Sequence, residues 1–301
     1  MQEILDGDHA LMLAYATPAN GVVLLPVSNF AVLDRAAGVV SSVNTSVGAW
    51  KKLERIRRNP RVALAFHTRE HAATDRPEYV LVQGTASLGA PVEDYPSTIL
   101  DVWERFEPWA DQNALWKRWR RVYALRTAIE VSVERILVWP DLGCRGPVEV
   151  HGTPLPPDPP ATQAEPNKGT APRIDHRRGA ERAGRLPHAV LGWVGADGFP
   201  LAVPVKVAGS HERGILLDAA EGLVPPGGRR AGLTAHWFSH GVIGQDQRKH
   251  TGWLESGEQL VYAPHTQSNY RFPALKPLFR FVSGAFTRLG VRGARRAGLA
   301  P

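Results

Sequence analysis

The chain has 301 residues, 43% of them hydrophobic and 22% charged. This composition can fill a globular core and excludes a disordered or collagen-like chain. A single cysteine, Cys144, excludes an intramolecular disulfide and fits a reducing, cytoplasmic setting. The net charge of +7 is unevenly placed: residues 271–301 hold seven basic and no acidic side chains, leaving 29 of each sign in 1–270. A nucleic-acid-binding body is therefore not expected.

The first residues have neither a basic stretch nor a long apolar run, so no signal peptide is expected. No segment reaches the ~20 apolar residues of a membrane span. Short Val- and Leu-rich runs at 12–16, 22–27, 31–33, 39–43, 62–66 and 79–87 are separated by turn residues, which predicts strands. Between the fourth and fifth runs lie the polar loop Asn44-Thr45-Ser46 and then a basic segment, 50–58. Trp50, Leu53 and Ile56 share one helix face, while Lys51, Lys52, Arg55, Arg57 and Arg58 project elsewhere. Pro60 ends the helix and turns Asn59 out of it. Hydroxyls, helix-start N–H groups and cations converge there, as a phosphate site requires. Taken alone, the same segment also reads as a solvated basic helix.

From 95 to 123, Ile99, Trp103, Phe106, Trp109, Leu115, Trp116, Trp119 and Val122 follow helical spacing, which assigns the aromatics to packing rather than to a stacking platform. Residues 126–138 alternate as a half-buried strand. The seven prolines in 151–185 predict an extended, poorly packed linker. Strands resume at 188–194, 201–207, 214–218, 231–238, 252–254 and 259–262, with Asp197-Gly198 as a hairpin turn.

The two halves repeat one order. Pro26-Val27, a strand pair, a basic segment, the run into His67 and a strand with Gly84 correspond to Pro204-Val205, a strand pair, Arg229-Arg230, the run into His236 and a strand with Gly252. The second copy lacks the basic helix. The expected organisation is a first barrel at 1–145, a linker at 146–185, a degenerate second barrel at 186–268 and a basic amphipathic tail at 269–301.

Residues 52–64, Lys-Leu-Glu-Arg-Ile-Arg-Arg-Asn-Pro-Arg-Val-Ala-Leu, resemble the signature of the pyridoxamine 5′-phosphate oxidase-like split β-barrel superfamily, which includes flavin- and deazaflavin-dependent oxidoreductases. Residues 79–86 are similar to its next strand, and Asp197-Gly198 with Pro200 and Pro204-Val205 to its first hairpin. The likeness covers about 10–140 and, more loosely, 186–265. It implies a mainly β fold with a few helices, tandem FMN-binding-type split β-barrels forming an internal pseudo-dimer, as a monomer or a homodimer. It also implies FMN or a deazaflavin coenzyme in the groove between barrels. Asn44, Thr45 and Ser46 would cap the phosphate, and Lys52 and Arg55 would neutralise it, with Lys51 as the alternative by one residue of register. Arg229 and Arg230 would approach from the second barrel, with His236 just beyond. The loop residues 47–50 and the missing basic helix of copy two depart from the pattern, so at most one intact phosphate site is expected.

Hydride chemistry in such proteins belongs to the cofactor, and no catalytic residue is assigned. The implied function is an oxidoreductase; the alternative is a non-catalytic protein that sequesters flavin, deazaflavin or haem. His236 and His240, like His67 and His71, have helix-type metal spacing but fall in strands and turns, so no metal site is expected. In 271–301, Leu275, Leu278, Phe279, Phe281, Val282, Phe286 and Leu289 mix with the basic residues, which reads either as a docked terminal helix or as a peripheral membrane contact.

Overall fold

The computed structural model describes residues 1–41, 45–107, 109 and 112–298. The first half runs α1 (Gln2–Gly7), β1 (Ala10–Ala16), β2 (Val22–Ser28), β3 (Val32–Asp34), β4 (Val39–Ser41), β5 (Thr45–Ser46), a 3₁₀ turn (Val47–Ala49), α2 (Trp50–Arg58), β6 (Arg61–Phe66) and β7 (Tyr79–Leu88). Next come α3 (Tyr95–Thr98), α4 (Leu100–Trp103), α5 (Ala114–Ala124), β8 (Arg126–Thr127), β9 (Ile129–Trp139) and β10 (Glu149–Gly152). The second half runs α6 (His176–Gly184), β11 (His188–Val194), β12 (Pro200–Pro204), β13 (Lys206–His211), β14 (Gly214–Asp218) and β15 (Gly227–Phe238). A 3₁₀ turn (His240–Val242), β16 (Gln245–Ser256), β17 (Leu260–Phe272) and α7 (Lys276–Arg296) complete it.

Two antiparallel sheets share one connectivity. The first has the order β2-β1-β6-β7-β9-β4-β3, with β10 added on β9, and the second β12-β11-β15-β16-β17-β14-β13. Setting Pro26 against Pro204 lets strand pairing carry the register around both sheets. Ala65 falls on Thr234, Leu81 on Lys249 and Tyr79 on Gln247. Gly84 then falls on Gly252, and a bulge interrupts the ladder at each. A Cβ on Gly84 would lie 2.2 Å from the Ser132 carbonyl, and one on Gly252 2.1 Å from that of Ala263. The same close backbone approach thus requires glycine in both copies. This is the expected fold class, mainly β with two barrel-like units in tandem.

β1 is buried along its whole length because both of its faces are covered. Leu11, Leu13 and Tyr15 point into the first sheet's core, while Met12, Ala14 and Ala16 face the second sheet. That explains a continuous apolar run where a half-exposed strand would alternate. Leu53 and Ile56 of α2 close the first core, and Ala180 and Ala183 of α6 pack into the second.

The back-to-back contact is reciprocal. Tyr79 donates its hydroxyl to the Ala202 carbonyl (2.6 Å) and Gln83 its amide to that of Pro200 (2.6 Å). From the other side Thr234 donates to the Leu24 carbonyl (3.0 Å) and Gln247 to that of Pro26 (3.4 Å). Arg135, almost fully buried, joins the halves by pairing with Asp197 of the hairpin turn and donating to Gln83 (2.5 Å). The pseudo-two-fold arrangement is that of an isologous dimer built within one chain.

Three expectations change in detail. β16 and β17 run far beyond 252–254 and 259–262, because buried polar residues such as Gln247 break the apolar pattern. The 151–185 segment is tied down rather than loose. Gln163 N–H bonds the Gly228 carbonyl (2.8 Å), and α6, capped by Asp175 accepting from Arg178 N–H (3.0 Å), lies within the segment. Most of 269–301 is the docked helix α7, which packs on α5 and α2.

Candidate functional site

Between the sheets lies a cavity of about 410 Å³, walled by β2, β5, α2, the α4–β8 region, β16, β17 and α7. Ser46 accepts a bond from Gly48 N–H (3.2 Å) and so starts the turn that leads into α2. With Leu53 and Ile56 anchored in the core, Lys52 is carried inward and is only 6% exposed. Its ammonium has no hydrogen-bond or carboxylate partner among the described residues. Burial, and then the positive charges of Arg126 and Lys249, bring its pKa down to about 7.

The two neighbouring cations come from opposite sides. Arg126 begins β8, pairs in register with Ser46, and lies 4.3 Å from the Tyr123 ring centroid and 4.8 Å from that of Trp103. Lys249 comes from β16 of the second sheet, 5.6 Å from the Tyr270 ring centroid, and burial lowers its pKa to about 8. Among the described lining residues the one carboxylate is Glu107. It is already held by the fully buried Arg120 through two bonds (2.7 and 2.8 Å) and by Arg280 (3.3 Å). Enclosing the Lys52 ammonium beside two further cations is costly, and an anion relieves that cost. The walls are aromatic: Phe30 and Trp103 stack at 4.5 Å, while Tyr270, Phe272 and Phe279 line the far side. A flat apolar ligand carrying a negative group matches this surface.

Of the residues expected at the site, Thr45, Ser46, Lys51 and Lys52 line the cavity. Lys51 is exposed and lies 5.7 Å from the Trp50 ring centroid, so Lys52 is the inward lysine. Asn44 lies outside the described residues. Arg55 turns the other way, toward the Tyr15 hydroxyl, and lines an adjoining cavity of about 790 Å³ that also reaches Lys249. Arg229 and Arg230 do not join them. Arg229 donates to the Pro160 carbonyl (3.3 Å) and Arg230 to Gln163 (3.2 Å), so both clamp the linker. His236 is sequestered against His67 and does not line the cavity. Arg126, Lys249 and the inner face of α7 escaped the sequence reading. Arg126 and Lys249 lie in strands, where no local spacing marks them as facing inward.

The pseudo-two-fold carries this cavity onto a second cleft of about 690 Å³, where Pro204 and Val205 stand in for Pro26 and Val27, and Asp141 for Phe272. There Asp141 and Asp218 supply negative charge, Lys206 is exposed, and Arg69 is occupied by Asp8 at 2.8 Å. An enclosed lysine without a partner among the described residues distinguishes the first cavity from its counterpart.

No family model matches the sequence, and no curated protein matches it. Solved structures do resemble parts of it. An F420 reductase is 16% identical over 45% of this chain and 94% of its own, with a TM-score of 0.33. General stress protein 26 from Bacillus anthracis is 19% identical over 46% of this chain and 88% of its own, TM-score 0.30. A pyridoxamine 5′-phosphate oxidase-related, FMN-binding protein from Nostoc punctiforme is 10% identical over 44% of this chain and 73% of its own, TM-score 0.30. Each of these three is matched over most of its length by less than half of this chain.

Proposed function

We propose that the cavity between the sheets binds FMN or a deazaflavin coenzyme and that the protein is an oxidoreductase. Lys52 carries this reading: a lysine enclosed without a partner beside Arg126 and Lys249 is stabilised by a phosphate and by little else within reach. Thr45 and Ser46 hydroxyls lie on the same wall, and the aromatic side chains opposite suit a fused ring system. The bound coenzyme would supply the hydride chemistry; the chain binds it, orients it and excludes water. An internal duplication then explains how one polypeptide builds a groove that otherwise needs two.

The test is a titration of the purified chain with FMN and with a deazaflavin coenzyme, followed by visible absorbance and quenching of coenzyme fluorescence. One of the two should bind, and Lys52→Met should weaken it at least tenfold. Equal affinity in wild type and variant removes the phosphate assignment, and binding of neither coenzyme removes the function.

A further inference from the structure

α7 has two apolar faces, and the cavity uses one of them. Phe279, Ser283 and Thr287 are buried on its inner side. On the outer side Leu278, Phe281, Ala285 and Leu289 follow at i, i+3, i+7 and i+11, a stripe along one helix face. Leu289 is 81% exposed and Phe281 53%. The stripe continues onto α5. Phe281 stacks on Trp119 at 5.3 Å with the rings 7° apart, and Arg288 covers that indole at 3.9 Å. Leu115, one turn before Trp119 on the same face of α5, is 74% exposed. The two helices form one platform.

The charge that the two helices themselves carry has a single sign, with Arg121 paired to Glu93 (3.0 Å) from outside them. No acidic residue occurs in 112–129 or 271–301, the segments that contain α5 and α7. Arg118, Arg121, Lys276, Arg288, Arg292 and Arg296 are all exposed. Exposed leucines, interfacial tryptophan and arginines on a helix too polar to cross a membrane form the pattern of a segment that lies in the headgroup layer. A protein partner would have to match an apolar stripe ringed by cations on both helices. An anionic bilayer surface supplies both complements at once, acyl chains for the stripe and phosphate for the arginines.

We infer that the α5–α7 platform docks on the surface of an anionic lipid bilayer. Leu278, Phe281 and Leu289 enter the interface, and Arg288, Arg292 and Arg296 bind headgroup phosphates. The inner face of α7 lines the cavity, so docking brings the cavity within about one helix diameter, ~10 Å, of the lipid. This inference stands whether or not the cavity binds a coenzyme.

The experiment is co-sedimentation of the full chain with vesicles of phosphatidylcholine alone and with 30 mol % phosphatidylglycerol. Wild type should bind the anionic vesicles at least tenfold more tightly than the neutral ones. Leu278→Ser/Leu289→Ser and Arg292→Glu/Arg296→Glu should each lose at least tenfold, with far-UV circular dichroism unchanged. Absence of wild-type binding overturns the proposal. So does unaltered binding by the folded leucine variant, which would reduce the contact to charge alone. A wild-type dimer in sedimentation equilibrium that the leucine variant dissolves, without vesicle binding, would assign the stripe to self-association and overturn it too.

Discussion

His67 and His236 meet Nε2 to Nε2 at 2.7 Å, both buried. The strand register that places Ala65 on Thr234 also places these two on each other, so a residue and its own counterpart touch on the pseudo-two-fold. His67 donates Nδ1–H to the Ala65 carbonyl (3.2 Å), which leaves its Nε2 as the acceptor and makes His236 the donor. His236 Nδ1 then has no partner among the described residues. Both rings are neutral: burial, with the charge of nearby His188, holds His67 down to about 3, and burial together with His67 holds His236 well below the usual range.

Acid should therefore loosen the join between the halves. Below pH 6.5 the unfolded histidines take up protons that the native pair refuses, so stability falls as pH drops from 6.5 toward 3, by about 1.4 kcal/mol per pH unit for each ring. Urea midpoints at pH 7, 5.5 and 4.5 should fall more steeply for wild type than for His67→Gln/His236→Gln. Parallel slopes would mean that the pair is not protected from protonation.

The matched bulges give a matched prediction. Gly84→Ala and Gly252→Ala each push a Cβ into a backbone carbonyl of the neighbouring strand, and relief requires breaking a ladder bond. Each should cost about 2 kcal/mol, in the range of mutations that strain a packed backbone. If chemical denaturation shows either within 0.5 kcal/mol of wild type, the bulge does not constrain that position.

The reciprocal hydrogen bonds across the halves make a third case. Tyr79→Phe and Thr234→Val each remove one donor and leave a buried carbonyl unpaired, at a cost of about 1 kcal/mol. They reach different carbonyls, Ala202 in one half and Leu24 in the other. The double variant should lose the sum to within ~0.5 kcal/mol; a clear departure would show that the two are energetically coupled.

What the sequence makes legible follows from local spacing. β1 and β6 stand out because burial on both faces leaves an unbroken apolar run, and α2 because Leu53 and Ile56 mark its core face and Asn59-Pro60 its end. Lys52 is legible through that helix. The rest of the site is assembled by distance in the chain: Lys249 faces Lys52 only after the second sheet folds against the first. α6 is hidden because Ala180 and Ala183 supply its buried face, and so little apolar surface makes a weak signal after a proline-rich stretch. α7 reads as amphipathic in either of its settings, since one face lines the cavity and the other meets solvent.

Lys52 carries a signature that needs no knowledge of the coenzyme. Its folded pKa is about 7 and its ordinary value 10.5. Below pH 7 both states are charged and the cost of enclosing the ammonium is fully present. As pH rises from 7 to 10.5 the native protein releases the proton while the unfolded chain keeps it, so stability rises by about 1.4 kcal/mol per unit. Lys249, lowered to about 8, adds the same trend over a narrower window. Lys52→Met keeps the volume and removes the charge, so it should raise the melting temperature at pH 7 and flatten the climb toward pH 10. A phosphate placed against Lys52 restores its ordinary basicity, so FMN binding at pH 8 should take up a proton. Calorimetry in buffers of different ionisation enthalpy would read that uptake, and Lys52→Met should reduce it. Binding with no proton uptake in wild type would place the phosphate elsewhere.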